Sequence, residues 1–509
     1  MTVFILVPGV FTGPRIWRDT AARLTEAGAH AHPVALTGLS GDRTPVPSGV
    51  SLETHIEDVV AALDTVWSAF GQKIVLVGHD YGIHPAVGAA DRRPDRISRI
   101  VHLDAGLPRD GVPALAAVPD GTVRAEVAAR AGSEGPDGEL PPPEGEGWAR
   151  WGSVQGLSAA ALDTLAALAA PQPLGTLIQP LRLTGAAAAL PTTGVLCTGN
   201  GTGIEMVQRL VDFGDPALQV LARPEVTFFE LATGHWPMLS RPGELAEVLL
   251  EAAAGEGHRL QPVGAGQLPP HLRPFLLDVP ERPRERHGAV DLHLPDGDGP
   301  HPAVVFVHGG PLPTDARPTP RDWPALRGYA QYAASEGVMG AVLDHRLHDL
   351  SAYPLAAADV AAAVELVRKD PRVDADRIAL WFFSGGGLLS ADWIAAPPPW
   401  LRCLAATYPV LAPLPGWGLN DGRFRPVAAL ADAGDLPPFV LTRVGRESPE
   451  IAATVERFLA AAEGREPGVE IIDVPDAPHA FETLDHSQEA REAVRRAMRT
   501  VLTHLRRRA

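Results

Sequence analysis

The sequence predicts an α/β protein of two consecutive domains, each a mostly parallel sheet flanked by helices. Short apolar runs alternate with longer amphipathic stretches along the chain, the pattern of strands buried on both faces beneath covering helices. A breaker-rich stretch, residues 255–280, interrupts that pattern near the middle. The 509 residues also exceed what one hydrophobic core ordinarily serves.

Residues 1–254 form the first expected domain. Its apolar runs are Val3 to Val7, Ile74 to Val77, Ile100 to Leu103, Val195 to Cys197 and Val226 to Leu231, and it closes on a helical run, Glu244 to Ala254. Between residues 106 and 190 the strand pattern stops, and an Ala- and Pro-rich, helix-prone insertion reads as a cap. Residues 255–280, with GEGHRLQPVGAGQLPP, read as a linker. The second domain, 281–509, opens with strand-like alternation around Ala289 to Leu294. It continues with runs at Val304 to Val307, Gly340 to Leu343, Ile378 to Trp381, Cys403 to Ala406, Phe439 to Thr442 and Val469 to Val474.

Composition narrows the function classes. With 44 Lys+Arg against 61 Asp+Glu the formal charge is −17, which argues against a nucleic-acid or anionic-membrane partner. Cys197 and Cys403 each lie in an apolar run, the placement of small buried thiols in a reduced, cytoplasmic protein. The opening MTVFILVPGV has neither a basic segment nor a small-residue cleavage site. No run of about eighteen apolar residues stands out as a membrane span. Asp344 to Asp349 (DHRLHD) matches no closed zinc spacing, and Gly199 to Gly203 lacks the Lys-Ser/Thr of a phosphate loop. The basic run Arg491 to Arg508 reads as a solvated amphipathic helix. The expected partner is a small-molecule substrate, with no cofactor, metal, nucleic acid or membrane, and the two halves are expected to pack on each other.

The first chemical motif follows the strand at Ile74 to Val77. Gly78-His79-Asp80-Tyr81-Gly82 is a glycine-flanked strand-to-helix turn that lifts its central residue out of the sheet. An aspartate there, with a reference pKa of about 3.9, is ionised at neutral pH and can attack carbon without first losing a proton. Asp104 ends the next strand and His235 follows the last one, in Thr233-Gly234-His235-Trp236. Nucleophile, acid and base therefore stand in the chain order that such a turn requires. GHDYG resembles the motif of epoxide hydrolases and haloalkane dehalogenases, and this half also resembles methylesterase-like α/β hydrolases. The resemblance implies an alkyl-enzyme ester on Asp80, hydrolysed by water that His235 activates. It places a halide-holding Asn at the Val10 position and Trp at the Tyr81 position; both are absent here, which ranks dehalogenation below epoxide opening. Relatives that open epoxides protonate the oxygen with cap tyrosines, and residues 106–190 contain none. Trp148 and Trp151 remain as aromatic donors or as packing residues of the cap.

The second motif is Phe382-Phe383-Ser384-Gly385-Gly386-Gly387 after the strand at Ile378 to Trp381, with Phe382 in place of the first glycine. Val307-His308-Gly309-Gly310-Pro311 follows an earlier strand, and Pro478-His479-Ala480-Phe481 lies near the end. Together these resemble dienelactone-hydrolase and acetyl-esterase-type serine hydrolases. The resemblance implies Ser384 as nucleophile, His479 as base, and Glu447 as orienting acid with Glu450 as the fallback. Backbone donors at His308, Gly309, Gly310 and Gly385 would face the oxyanion. The chain is thus expected to be two tandem α/β-hydrolase domains, the first opening an epoxide or similar electrophile, the second a serine esterase or lactonase. The alternatives are an esterase acting only through Ser384 and a non-catalytic ligand-binding scaffold.

Overall fold

The computed structural model describes residues 1–39, 47–212, 218–262, 264, 268–314, 316–414, 417, 419, 422–434, 436–465 and 467–507. Within them the chain divides into two compact units, Met1–Val263 and Gly264–Leu414 with Leu419–Ala509.

The first unit is built on β1 (Val3–Val7), β2 (His30–Pro33), β3 (Ile74–His79), β4 (Ile97–Leu103), β7 (Thr192–Cys197) and β8 (Val226–Leu231). They form one parallel sheet in the order β2-β1-β3-β4-β7-β8. The central strands β1 and β3 are buried throughout, because helices such as Leu52–Phe70 and Pro242–Ala254 cover the sheet with residues including Ile56, Val59, Leu245 and Leu249. Burial on both faces is why these strands are legible as unbroken apolar runs. Strand β2, HAHP, is half-exposed at the sheet edge and pairs only with β1, so it lacks that signature and was not expected. The insertion between β4 and β7 holds the helices Gly121–Glu134, Ala159–Leu168 and Leu174–Ile178 and a two-residue antiparallel pair, β5 (Glu139–Leu140) with β6 (Gln172–Pro173).

The second unit contains β9 (Arg284–His287), β10 (Val290–His293), β11 (His301–Val307), β12 (Met339–Leu343), β13 (Val373–Phe383), β14 (Leu401–Thr407), β15 (Phe439–Arg446) and β16 (Val469–Pro478). The sheet order is β16-β15-β14-β13-β11-β12-β10-β9, with β10 antiparallel to both neighbours and the rest parallel. Polar β9 is again an edge strand; its Arg286 pairs with buried Asp291 on β10. The expected linker is not wholly a connector. Leu276 and Leu277 belong to the second core, and Leu276 N–H donates to Glu482 O at 2.9 Å. Two leucines in a Pro-rich stretch carry no periodicity, which is why their burial was not foreseen.

One described helical stretch, Leu350–Lys369, is long and apolar enough to cross a membrane, unlike the sequence expectation of none. It carries Asp359 and Glu365, and Tyr353, Ala356, Val360, Val364 and Val367 are buried on its inner side, which fits a core helix covering a sheet.

Candidate active sites

In each unit the strand-to-helix turn holds one non-glycine residue at positive φ: Asp80 at 49° and Ser384 at 50°. Left-handed backbone costs an L-residue about 1–2 kcal/mol, and both turns sustain it because the surrounding backbone leaves no alternative. A Cβ on Gly82 would stand 2.4 Å from Pro8 O, and one on Gly385 2.1 Å from Gly310 O. Phe382, standing where Gly78 stands in the first unit, is fully buried inside β13. The sharp approach in the second unit therefore falls on the glycines after Ser384.

At the first turn Val10 N–H donates to Asp80 Oδ2 at 3.1 Å, and the carboxylate side chain is 28% exposed. His235 Nδ1–H donates to Asp104 Oδ2 at 2.6 Å, while Nε2 lies 3.8 Å from Asp80 Oδ2. That Nε2 is buried and, among the described residues, has no hydrogen-bond partner. Asp80, Asp104 and His235 are thus brought together. Burial opposes ionisation of Asp80, but nearby His235, with His79 and the Tyr81 backbone, holds its pKa down to about 2. Burial likewise disfavours charge on His235, yet Asp104 and then Asp80 outweigh it and raise the imidazole to about 10. The resting site is an imidazolium between two carboxylates.

Asn200, which stands where an acid might, supports the acid instead. Its Nδ2 donates to Asp104 Oδ2 and its Oδ1 accepts from Ser153 N–H at 2.6 Å. Residues 152–155 of the insertion form a strap over the histidine: Ser153 O accepts from His235 N–H at 2.8 Å and Gln155 O from Gly234 N–H at 2.9 Å. His79 Nε2–H donates to His235 O at 2.7 Å, and burial with the nearby His235 charge lowers its own pKa to about 4. Neither the strap nor His79 was foreseen, since loop backbone contacts leave no pattern in composition.

The expected contact of Tyr81 differs from the structure, and of the two readings of Trp148 and Trp151 the structure shows packing. The Tyr81 side chain is buried and its hydroxyl is hydrogen-bonded with His55 Nδ1 at 2.8 Å. Trp148 and Trp151 pack edge-on against Phe11, at 6.0 and 4.8 Å between ring centroids, and Trp148 also meets Trp236 at 5.6 Å. The indoles anchor the cap to the core, because large apolar rings gain most from burial.

At the second turn Glu447 can only accept, so His479 Nδ1–H donates to Glu447 Oε2 at 2.5 Å and Nε2 accepts from Ser384 Oγ–H at 2.8 Å. Glu450, the fallback, lies in the first turn of the helix Pro449–Ala462, while Glu447 is the acid on His479. A Cβ on Gly309 would lie 2.8 Å from Ser384 Cβ, so the Gly309–Gly310 turn abuts the nucleophile as expected. The His308 ring does not: it is buried, stacked 3.6 Å from His345, with His345 N–H donating to its Nε2 at 3.3 Å. It braces the turn from behind.

The sequence reading also missed a buried acid. Glu482 Oε1 accepts from Tyr329 O–H at 3.0 Å and Oε2 from Tyr408 O–H at 2.8 Å, and burial raises its pKa. Tyr408 is held at φ 38° with its ring 4.5 Å from that of His479. A glutamate within the apolar Ala480 to Leu484 segment was the available signal. Among the described residues no cluster of metal-ligating side chains occurs.

Residues 4–248 match the family described as "Alpha/beta hydrolase family", and residues 290–393 the family described as "BD-FAE". A carbendazim hydrolyzing esterase from Nocardioides sp. (strain SG-4G) is 31% identical over 258 residues, which is 49% of this chain and 98% of that protein. The putative chloroplastic methylesterase 11 of Arabidopsis thaliana is 30% identical over 108 residues, covering 21% of this chain and 27% of the relative. Among solved structures, an extracellular alpha/beta-hydrolase from a Paenibacillus species is 20% identical with a TM-score of 0.40, covering 50% of this chain and 99% of its own.

Proposed function

Because the chain belongs to the alpha/beta hydrolase family, we propose that it is a carboxylic ester hydrolase of two tandem catalytic units, with ordinary acyl transfer to water at Ser384. The observation that carries this is the unbroken relay from Ser384 Oγ through His479 to Glu447, at 2.8 and 2.5 Å. His479 would take the serine proton as Oγ attacks the ester carbonyl, then return it to the departing alkoxide. Glu447 would hold the imidazole in the tautomer that leaves Nε2 free to accept. N–H groups of the Gly309–Gly310 turn and of Gly385 would hold the oxyanion. Labelling with a fluorophosphonate tests this: Ser384 should carry the adduct, and Ser384→Ala should abolish it together with most aryl-ester turnover. A wild-type chain that is never labelled at Ser384 removes the proposal.

A second reading concerns the first unit, and the Val10 N–H on Asp80 Oδ2 favours it. A carboxylate so held is oriented for displacement at carbon, leaving an alkyl ester on Asp80 that His235 helps water to hydrolyse. Epoxide opening is one reaction of this kind. The insertion lacks the tyrosines that would protonate an opening oxygen, whereas a relative matching nearly the whole of this half is an esterase. Esters are therefore the substrates we favour for Asp80 as well. Two buried thiols, Cys197 and Cys403, suit a reduced, cytoplasmic setting.

A further inference from the structure

We propose that the first unit cleaves methyl and other small alkyl esters at the alkyl carbon–oxygen bond, Asp80 accepting the alkyl group while the substrate's carboxylate departs as an anion. This deepens the ester reading of the first unit and rests on it.

The first ground is where the backbone donors point. Acyl cleavage would build an oxyanion on the substrate carbonyl, and that charge needs donors waiting for it. Here the Val10 N–H is engaged by Asp80 Oδ2 at 3.1 Å. That donor is placed for an oxyanion on Asp80 Cγ itself, which forms only when water attacks an ester of Asp80. Attack by Asp80 on a substrate carbonyl would instead yield an anhydride, less stable than the ester consumed.

The second ground is the leaving group. An alkoxide must be protonated to depart, and among the described residues the proton on His235 Nε2, 3.8 Å from Asp80 Oδ2, is the one placed to do so. Tyr81 O–H is tied to His55, Trp148 is buried against Phe11 and Trp236, and residues 106–190 contain no tyrosine. A carboxylate, whose acid has a pKa of about 4, leaves unprotonated at neutral pH. A methyl carbon is also the least hindered to in-line attack.

The bookkeeping of atoms closes. Asp80 Oδ bonds to the alkyl carbon as the carbon–oxygen bond to the substrate carboxylate breaks. Alkylation removes the Asp80 charge that helped hold the proton on His235 Nε2, and that proton passes to solvent. The neutral imidazole then takes a proton from water attacking Cγ and delivers it to the departing alkoxide. Asp80, now a carboxylic acid, returns its proton to His235. Ester and water become carboxylate, alcohol and one released proton.

The test uses the full chain carrying Ser384→Ala, with methyl benzoate and methyl phenylacetate as probes in heavy-oxygen water. The expected result is turnover in which the acid carries no heavy oxygen and the Asp80 peptide acquires it. In Ser384→Ala/His235→Gln, trideuteromethyl benzoate should leave its methyl group on Asp80. Heavy oxygen in the benzoate with Asp80 unlabelled means acyl cleavage; that overturns the inference and leaves the ester reading standing. Absence of both turnover and methyl transfer overturns the two together. Should Ser384→Ala not fold, wild-type chain blocked at Ser384 by a fluorophosphonate serves in its place.

Discussion

Replacing Gly152 by alanine places a methyl group against the histidine of the first site. The added Cβ would stand 2.4 Å from His235 Cγ, 2.5 Å from its Cβ and 2.6 Å from Cδ2, where carbon atoms ordinarily rest about 3.5–4.0 Å apart. Strap and ring must therefore separate by about 1 Å. The strap has little freedom to move, because Ser153 N–H is held by Asn200 and Ser153 O by His235 N–H. The imidazole moves instead, out of line with Asp104. A misplacement of about 1 Å in a catalytic group costs roughly a hundredfold, and overpacking of this kind about 1–3 kcal/mol of stability. On the chemistry proposed for Asp80 the step lost is hydrolysis of its ester, so Gly152→Ala should accumulate alkylated Asp80 when incubated with methyl benzoate. Intact-mass spectrometry follows the adduct, and the low-field proton resonance of the His235–Asp104 bond reports the displacement. Fluorophosphonate labelling of Ser384 should be unchanged. A variant with wild-type turnover at Asp80 and an undisturbed resonance would show that the strap does not position the histidine.

The charged pair should mark the pH dependence of stability. His235, raised to about 10 from 6.5, contributes fully below about pH 6.5 and loses its contribution as pH climbs through about 10. Asp80, lowered to about 2 from 3.8, contributes fully above about pH 3.8 and loses it as pH falls through about 2. The melting-temperature advantage of wild type over Asp80→Asn should therefore peak between about pH 4 and 6.5; a flat difference from pH 3 to 10 would contradict the pairing. In the second unit, Gly385→Ala drives a Cβ to 2.1 Å from the Gly310 carbonyl, backbone against backbone. It should abolish Ser384 labelling, and a variant labelled at the wild-type rate would refute that geometry. Tyr329→Phe and Tyr408→Phe each remove one hydroxyl from buried Glu482 and should each cost about 1–3 kcal/mol. Only Tyr408→Phe should also slow acylation of Ser384, because losing the hydroxyl bond to Glu482 releases the ring that lies 4.5 Å from that of His479; equal rates in the two variants would count against that role.

How much of this was legible in the chain follows from what each feature demands locally. Central strands are apolar because both faces are buried, and the two turns demand glycines at close backbone approaches, so sheets and turns could be read directly. Edge strands β2 and β9 escaped because one exposed flank permits HAHP and RERH. Asn200, the 152–155 strap, His79 and Glu482 escaped for a different reason: their partners are distant in sequence, such as Asp104, His235 and Tyr329, and contacts of that kind impose no period. The same distinction separates the two chemistries. That Asp80 is ionised could be argued from its residue type, but which atom it attacks depends on what the oxyanion donors already hold. That is set at Val10, whose N–H already donates to Asp80 Oδ2. Residue type alone pointed to a strained ring, whereas the Val10 donor already held by Asp80 points to an alkyl carbon bearing a carboxylate.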